Sequence, residues 1–229
     1  MSLYVLGDPH LSFGVDKPMD VFGGWGSYVG KIEKNWKEIV SDNDTVLLAG
    51  DISWAMKIDE ATEDFRFIDS LPGKKIILKG NHDYWWDTKT KIEKFFSKNN
   101  ISDIEVLFNN AYLVDGIAVC GTRGWFYDAH GSQDAKVINR EVGRLRSSIE
   151  AAKKLDGEVI AFLHYPPVFA GKECPEIMNV LLEYDIKKCY YGHLHGKKAH
   201  TLATVGNYKG IEFKLIACDY TQFKPIRVY

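Results

Sequence analysis

The chain has 229 residues, 45% hydrophobic and 26% charged: enough apolar side chains for a sizeable core, and no bias of the kind that marks disordered or fibrous classes. A formal net charge of -2 supplies no global basic field to draw the protein to nucleic acid or anionic lipid. The apolar runs fall far short of the roughly 20 residues that cross a bilayer.

Along the chain a short continuous apolar run repeatedly ends in polar, ligand-type residues. LYVLGDPH (3–10), TVLLAGD (45–51), KKIILKGNHD (74–83), VIAFLHYPP (159–167) and KKCYYGHLH (187–195) all follow this form. Runs without alternation suit strands covered on both faces, as in a mostly parallel sheet with helices between. Between the first runs, Ile32, Trp36, Ile39 and Val40 predict a helix capped at Ser27. Ala61, Phe65, Ile68 and Leu71 predict a second, stopped by Pro72-Gly73, and Ile92, Phe95 and Phe96 a third, ending near Asn99-Asn100. The order β-α-β-α-β implies right-handed crossovers.

AYLVDGIAVCG (111–121) places Asp115-Gly116 between two apolar runs, the signature of a tight hairpin. Ile138, Val142, Leu145, Ile149 and Ala152 predict a long helix over about 135–155, and residues 202–219 read as a second hairpin. The expectation is an α/β chain with mixed sheets. Cys120, Cys174, Cys189 and Cys218 are widely separated, with no C-x-x-C pair. Without a signal-peptide pattern before Leu3, they indicate a thiol-reduced, cytoplasmic protein, and residues 1–229 read as one domain with no separate cap.

In open α/β sheets ligands bind at the carboxyl ends of strands. Here those ends hold Asp8, His10, Asp51, Asn81, His82, Asp83, His164, His193 and His195; of seven histidines only His130 and His200, read as surface residues, lie elsewhere. Carboxylate, imidazole and amide oxygen without thiolate suit Mn, Fe, Zn or Co. Asp8-Pro-His10, Gly50-Asp51, Gly80-Asn-His-Asp83, His164 and Gly192-His-Leu-His195, in that order, resemble the calcineurin-like metallophosphoesterase superfamily.

That resemblance implies a four-layer αββα sandwich, two mixed sheets flanked by helices, with two divalent metal ions at the strand ends. Position by position it puts Asp8, His10 and His195 on one metal and Asn81, His164 and His193 on the other, with Asp51 bridging. It implies a phosphoesterase in which a metal-bridging hydroxide attacks a phosphomonoester or phosphodiester in line, and in which His82 protonates the leaving group. Asp83 is expected to fix the His82 tautomer and favour its charged form. A small phosphorylated molecule (a nucleotide, a sugar or lipid phosphate, or a phosphopeptide) is the expected partner, and nucleic acid is not. The competing reading is a catalytically silent scaffold of this fold that binds a partner protein, which would be expected to have lost ligands or the acid histidine. None is missing.

Many relatives carry a further acidic residue shortly after Gly-Asp, whereas this chain reads GDISWAMKID, a change expected to alter the local loop and substrate approach. FGGWGSYVGKI (22–32) lacks the spacing and the Ser or Thr of a phosphate-binding P-loop. It reads instead as a loop near the metals, with Phe22, Trp25 and Tyr28 as one wall of the mouth. Trp54, Trp85, Trp86, Trp125, Phe126 and Tyr127 follow strand ends or motif segments, where they stack a ligand ring or pack loops onto the core. Trp54 and Trp125 are candidate substrate contacts, as is Arg123, read equally as a phosphate clamp and as half of an ion pair.

Overall fold

In the computed structural model, which describes residues 1–125 and 132–229, the front half of the chain builds a parallel sheet from the predicted apolar runs. β1 (Leu3–Leu6), β2 (Thr45–Leu48), β3 (Lys74–Ile77) and β4 (Ile104–Val106) lie side by side in that order. The intervening helices are α1 (Tyr28–Ile39), α2 (Thr62–Ser70) and α3 (Lys89–Lys98). Each buries the face its spacing dictates: Ile32 and Trp36, Phe65 and Ile68, and Ile92 with Phe95 and Phe96. Ser27 does precede α1, but with φ 54° its hydroxyl makes no capping bond, contrary to the cap expected there.

The second half begins with the expected hairpin, β5 (Tyr112–Val114) and β6 (Ile117–Thr122). Asp115 and Gly116 both have positive φ, 51° and 75°, as a two-residue turn between twisted strands requires. After α4 (Ser132–Ala152) come β7 (Glu158–Leu163), a small ribbon of β8 (Val168–Phe169) and β9 (Lys172–Glu173), and α5 (Pro175–Glu183). β10 (Lys188–Tyr191), α6 (Gly196–Leu202) and the predicted second hairpin, β11 (Gly206–Tyr208) with β12 (Ile211–Leu215), follow. β5, β6, β7, β10, β12 and β11 form one sheet in that spatial order, with antiparallel edges around a parallel centre. The chain ends on β13 (Ile226–Arg227), antiparallel to β1, so the first sheet is mixed too.

Three apolar layers hold these elements as α, β, β, α. Val5, Leu47, Ile76, Ile160, Phe162 and Tyr190 are buried between the two sheets. The faces of α1 to α3 pack on the outside of the first sheet and those of α4 and α5 on the outside of the second. The four cysteines are free and buried. Among the described residues no helix is long and apolar enough to cross a membrane. Phe126, Tyr127 and His130 lie outside the described residues.

The sheets meet at their carboxyl ends. Gly7, just after β1, donates to the Ile216 carbonyl at 2.8 Å, and Cys218 returns a bond to the Gly7 carbonyl at 3.0 Å. This bridge between Gly7 and Ala217 ties the end of one sheet to the end of the other and aims both sets of strand termini into one space.

Candidate metal centre

Beyond the bridge the chain leaves ordinary strand geometry at four of the predicted positions. Asp8, His10, Asp51 and His193 have φ of 59°, 46°, 50° and 70°, a left-handed conformation that non-glycine residues adopt at a cost of order 1–3 kcal/mol. Backbone N–H groups hold these turns: Asp8 N donates to Gly50 O at 3.0 Å, His10 N to Asp51 O at 2.9 Å, and His193 N to the Asp8 side chain at Oδ1, 2.9 Å. Two glycines let the segments close up. A β-carbon at Gly80 would collide with the Asp51 carboxylate, and one at Gly192 with that of Asp8.

The side chains so placed form two clusters, Asp8 with His10 and His195, and Asp51 with His164 and His193, each with its ligand atoms within 4.8 Å of one another. Asp51 faces both. Its Oδ2 lies 3.7 Å from His10 Nε2 and 3.4 Å from His164 Nε2. Asn81 Oδ1 joins the second cluster, 2.6 Å from His164 Nε2 and 2.8 Å from His193 Nδ1.

The donor chemistry fits divalent cations. His164 Nδ1 lies 3.0 Å from the Ala49 carbonyl, which accepts its proton and leaves Nε2 with a lone pair pointed at the Asn81 oxygen, another lone-pair donor. Two electron-rich atoms at 2.6 Å are repulsive unless an electrophile lies against both. His10 Nε2 and His195 Nε2 lie 3.3 Å apart, near enough for one cation to take both once the His195 proton is displaced. Burial pulls His164 and His193 down to about 3 and holds them neutral, the form that ligates metal. Burial, then the His195 and His82 rings, likewise lowers His10. Burial and the nearby Asp83 and Asp8 carboxylates raise Asp51. A cation shared by these groups relieves both conflicts at once.

A calcineurin-like phosphoesterase family model matches residues 1–197. The chain belongs to the calcineurin-like phosphoesterase family. A curated relative, a probable cyclic nucleotide phosphodiesterase from Fibrobacter succinogenes, is 27% identical over 177 residues, covering 70% of this chain. The match spans about 60% of that relative's own length. Among solved structures, a phosphopantetheinyl hydrolase from Mycobacterium tuberculosis superposes with a TM-score of 0.57 at 13% identity, covering 99% of this chain and 95% of that one. A protein of unknown function from Aquifex aeolicus gives 0.51 at 16% identity, again over 99% of this chain and 95% of its own. These two likenesses establish the fold.

The centre of this calcineurin-like phosphoesterase chain also carries a histidine outside the two clusters. His82 is half-buried; its backbone N–H donates to Asp51 Oδ1 at 2.7 Å, and its ring lies 4.4 Å from that of Trp54. Asp83 does not orient it. The Asp83 carboxylate is wholly buried and accepts from Gly80 N (2.7 Å), Ile52 N (2.8 Å), Ser53 N (3.3 Å) and Trp85 Nε1 (3.0 Å). His82 Nδ1 is buried without a hydrogen-bond partner. Successive residues in this turn point apart, so adjacency in sequence did not become contact. Burial lowers His82, with Asp8 opposing, the reverse of the charged form expected from an Asp83 pairing.

Other aromatic and basic candidates separate cleanly. Trp54 stacks on His10 at 4.9 Å with planes 19° apart. Together with Met19, Phe22, Trp25 and His82 it lines a cavity of about 380 Å³ beside the first cluster. Tyr28 is not part of that wall; it is buried and donates to the His10 carbonyl at 2.9 Å. Trp85 packs on Phe65 in the core. Trp125 lies 5.2 Å from Tyr165, whose ring meets His193 at 4.2 Å, and does not line this cavity. Arg123 takes the ion-pair role: its Nη2 lies 3.5 Å from buried Glu141 and its guanidinium 4.9 Å from the Trp125 ring.

Asp219 was missed by the sequence reading. Its carboxylate accepts from His195 Nδ1 at 2.9 Å and from Gly196 N at 2.8 Å, and pairs with His200 Nε2 at 3.3 Å, so His200 is no idle surface residue. Burial pulls His195 down, but Asp219 and Asp8 together hold it up at about 10. The available signal was the segment KLIACD (214–219), an apolar stretch ending in a carboxylate like the others.

Proposed function

We propose that this chain hydrolyses a phosphomonoester or phosphodiester at a pair of divalent cations held by Asp8, His10 and His195 on one side and Asn81, His164 and His193 on the other, with Asp51 between. The position of the Asp51 carboxylate carries this reading, because one oxygen within 4 Å of a histidine from each cluster is where a bridging ligand belongs. When bound, such cations supply an acidified water and offset the charge on the phosphoryl oxygens.

The residues of the chain do the rest. Asp8 and Asp51, both buried, set the negative charge that draws cations to the strand ends. Asn81 contributes a neutral oxygen and so limits the total charge of the site. His82 stands between the clusters and the cavity, where it can pass a proton to the departing oxygen; its imidazole, lowered by burial, is favoured in charged form when phosphoryl charge sits beside it. Trp54 packs against both His10 and His82 and restricts their rings.

Metal analysis of purified protein, paired with hydrolysis of a chromogenic monoester and a chromogenic diester in manganese, tests the reading. Bound metal with turnover of at least one ester, both lost in Asp51→Asn, is the expected result. Metal bound with neither ester turned over would favour the scaffold reading instead.

A further inference from the structure

The cavity beside His82 has a chemistry of its own. Its walls are the rings of Phe22, Trp25 and Trp54 and the thioether of Met19, and no lysine or arginine lines it among the described residues. The one carboxylate among its described lining residues, Asp219, is already paired with His195 and His200. A second phosphate or a carboxylate placed there would lose its water and meet no lysine or arginine to pair with.

The wall is also firmly built. Trp25 is 3% exposed, with its ring edge-on to His195 at 5.5 Å and to Phe223 at 5.2 Å. Phe22 is 56% exposed at the rim, on a turn fixed by bonds from Phe22 N to Met19 O (3.0 Å) and from Trp25 N to Phe22 O (3.1 Å). A ring exposed to that extent and held by its backbone gives apolar area to a guest with little ordering cost.

We infer that this cavity binds the organic arm of the ester, and that the arm is an uncharged, flat aromatic ring system rather than an anionic, sugar-like or peptide group. The inference rests on the phosphoesterase reading of the same centre. His10, His82 and His195 line the cavity whereas His164, His193 and Asn81 do not, so the arm lies over the first cluster with its ester oxygen toward His82. A volume of about 380 Å³ is at the small end for ligand sites and matches one ring system better than a chain.

The experiment uses the manganese-loaded full chain and two readouts. In turnover, 2-naphthyl phosphate is compared with phenyl phosphate and 4-carboxyphenyl phosphate. The naphthyl ester should exceed the phenyl ester in kcat/KM by about five- to tenfold, the carboxyphenyl ester should fall below it, and Phe22→Ala should collapse the naphthyl preference to about twofold or less. In binding, calorimetric titration compares the hydrolysis-inert 2-naphthyl phosphonate with methylphosphonate, with the same preference and the same loss in Phe22→Ala. Equal affinity for the two phosphonates, or a naphthyl preference that survives Phe22→Ala, overturns the inference. Absence of turnover with every ester, while the naphthyl phosphonate still binds preferentially, overturns the phosphoesterase reading and leaves the ring site standing.

Discussion

Asp219 Oδ1 accepts a hydrogen bond from His195 Nδ1 at 2.9 Å, which fixes the imidazole so that Nε2 faces Asp8 and His10. A carboxylate behind a ligating histidine sets its tautomer and raises its basicity, and loss of such a partner typically costs about 10- to 100-fold in metal affinity. Asp219→Ala should therefore weaken one of two metal sites by about that factor, with Asp219→Asn milder because an amide oxygen can still accept. Manganese titration followed by calorimetry checks this, and equal weakening of both sites would refute the assignment.

His82 is separated from the cluster ligands by function. It contributes no atom to either group of clustered ligands, yet its ring borders the cavity. His82→Ala should keep metal content near that of the parent protein and lower turnover by about 100- to 10,000-fold for alkyl esters, less for nitrophenyl esters whose leaving oxygen needs no proton. Metal loss on this substitution would place His82 among the ligands.

The parts legible in the sequence were those where local chemistry and long-range structure coincide. Buried parallel strands need unbroken apolar runs, and sites form at their carboxyl ends, so Asp8, Asp51, Asn81 and His164 could be read from where the runs stop. Asp115-Gly116 could be read because its left-handed turn has few other sequences. Asp219 was hidden because β12 alternates, with Glu212 and Lys214 half-buried, and its role depends on β12 lying parallel beside β10. The partners of Asp83 were hidden for a related reason: two of its four donors, the backbone N–H groups of Ile52 and Ser53, are brought to it by tertiary structure alone. β13 has only two residues and no run to recognise.

Gly192 offers a test of close approach. Its own φ is unremarkable, so substitution acts only through contact, and an added β-carbon meets the Asp8 carboxylate. Gly192→Ala should displace Asp8, strip the cluster of Asp8, His10 and His195, and cost about 1–3 kcal/mol of stability. Gly30→Ala, on the exposed side of α1 with no atom within 4 Å, is the control and should stabilise by up to about 1 kcal/mol. Urea denaturation of the two variants side by side separates contact from composition.

Asp83 should behave as a structural residue. Asp83→Ala would orphan four buried donors, each worth about 1–3 kcal/mol when left unsatisfied, though not additively. A loss of more than about 3 kcal/mol is expected in metal-free protein, where no change in ligation can account for it. A loss below about 1 kcal/mol would restore the case for a purely catalytic Asp83.

Metal uptake should be strongly pH-dependent, with a sign set by His195 and Asp51. In the metal-free protein Asp219 and Asp8 hold His195 at about 10 against burial, and burial with Asp83 and Asp8 raises Asp51. His195 retains a proton at neutral pH that a cation must displace, and the raised Asp51 carboxyl shifts uptake in the same direction, whereas His164 and His193, lowered to about 3, have none to lose. Apparent affinity should therefore climb with pH, by about tenfold per unit for each displaced proton, and level off only as His195 itself deprotonates. Calorimetric titration of manganese at pH 7 in buffers of differing ionisation enthalpy measures the protons released directly. Asp219→Asn, which removes the leading carboxylate support, should reduce that number; a release of zero in the parent protein would show that His195 is already free to ligate and that Asp219 acts on its orientation alone.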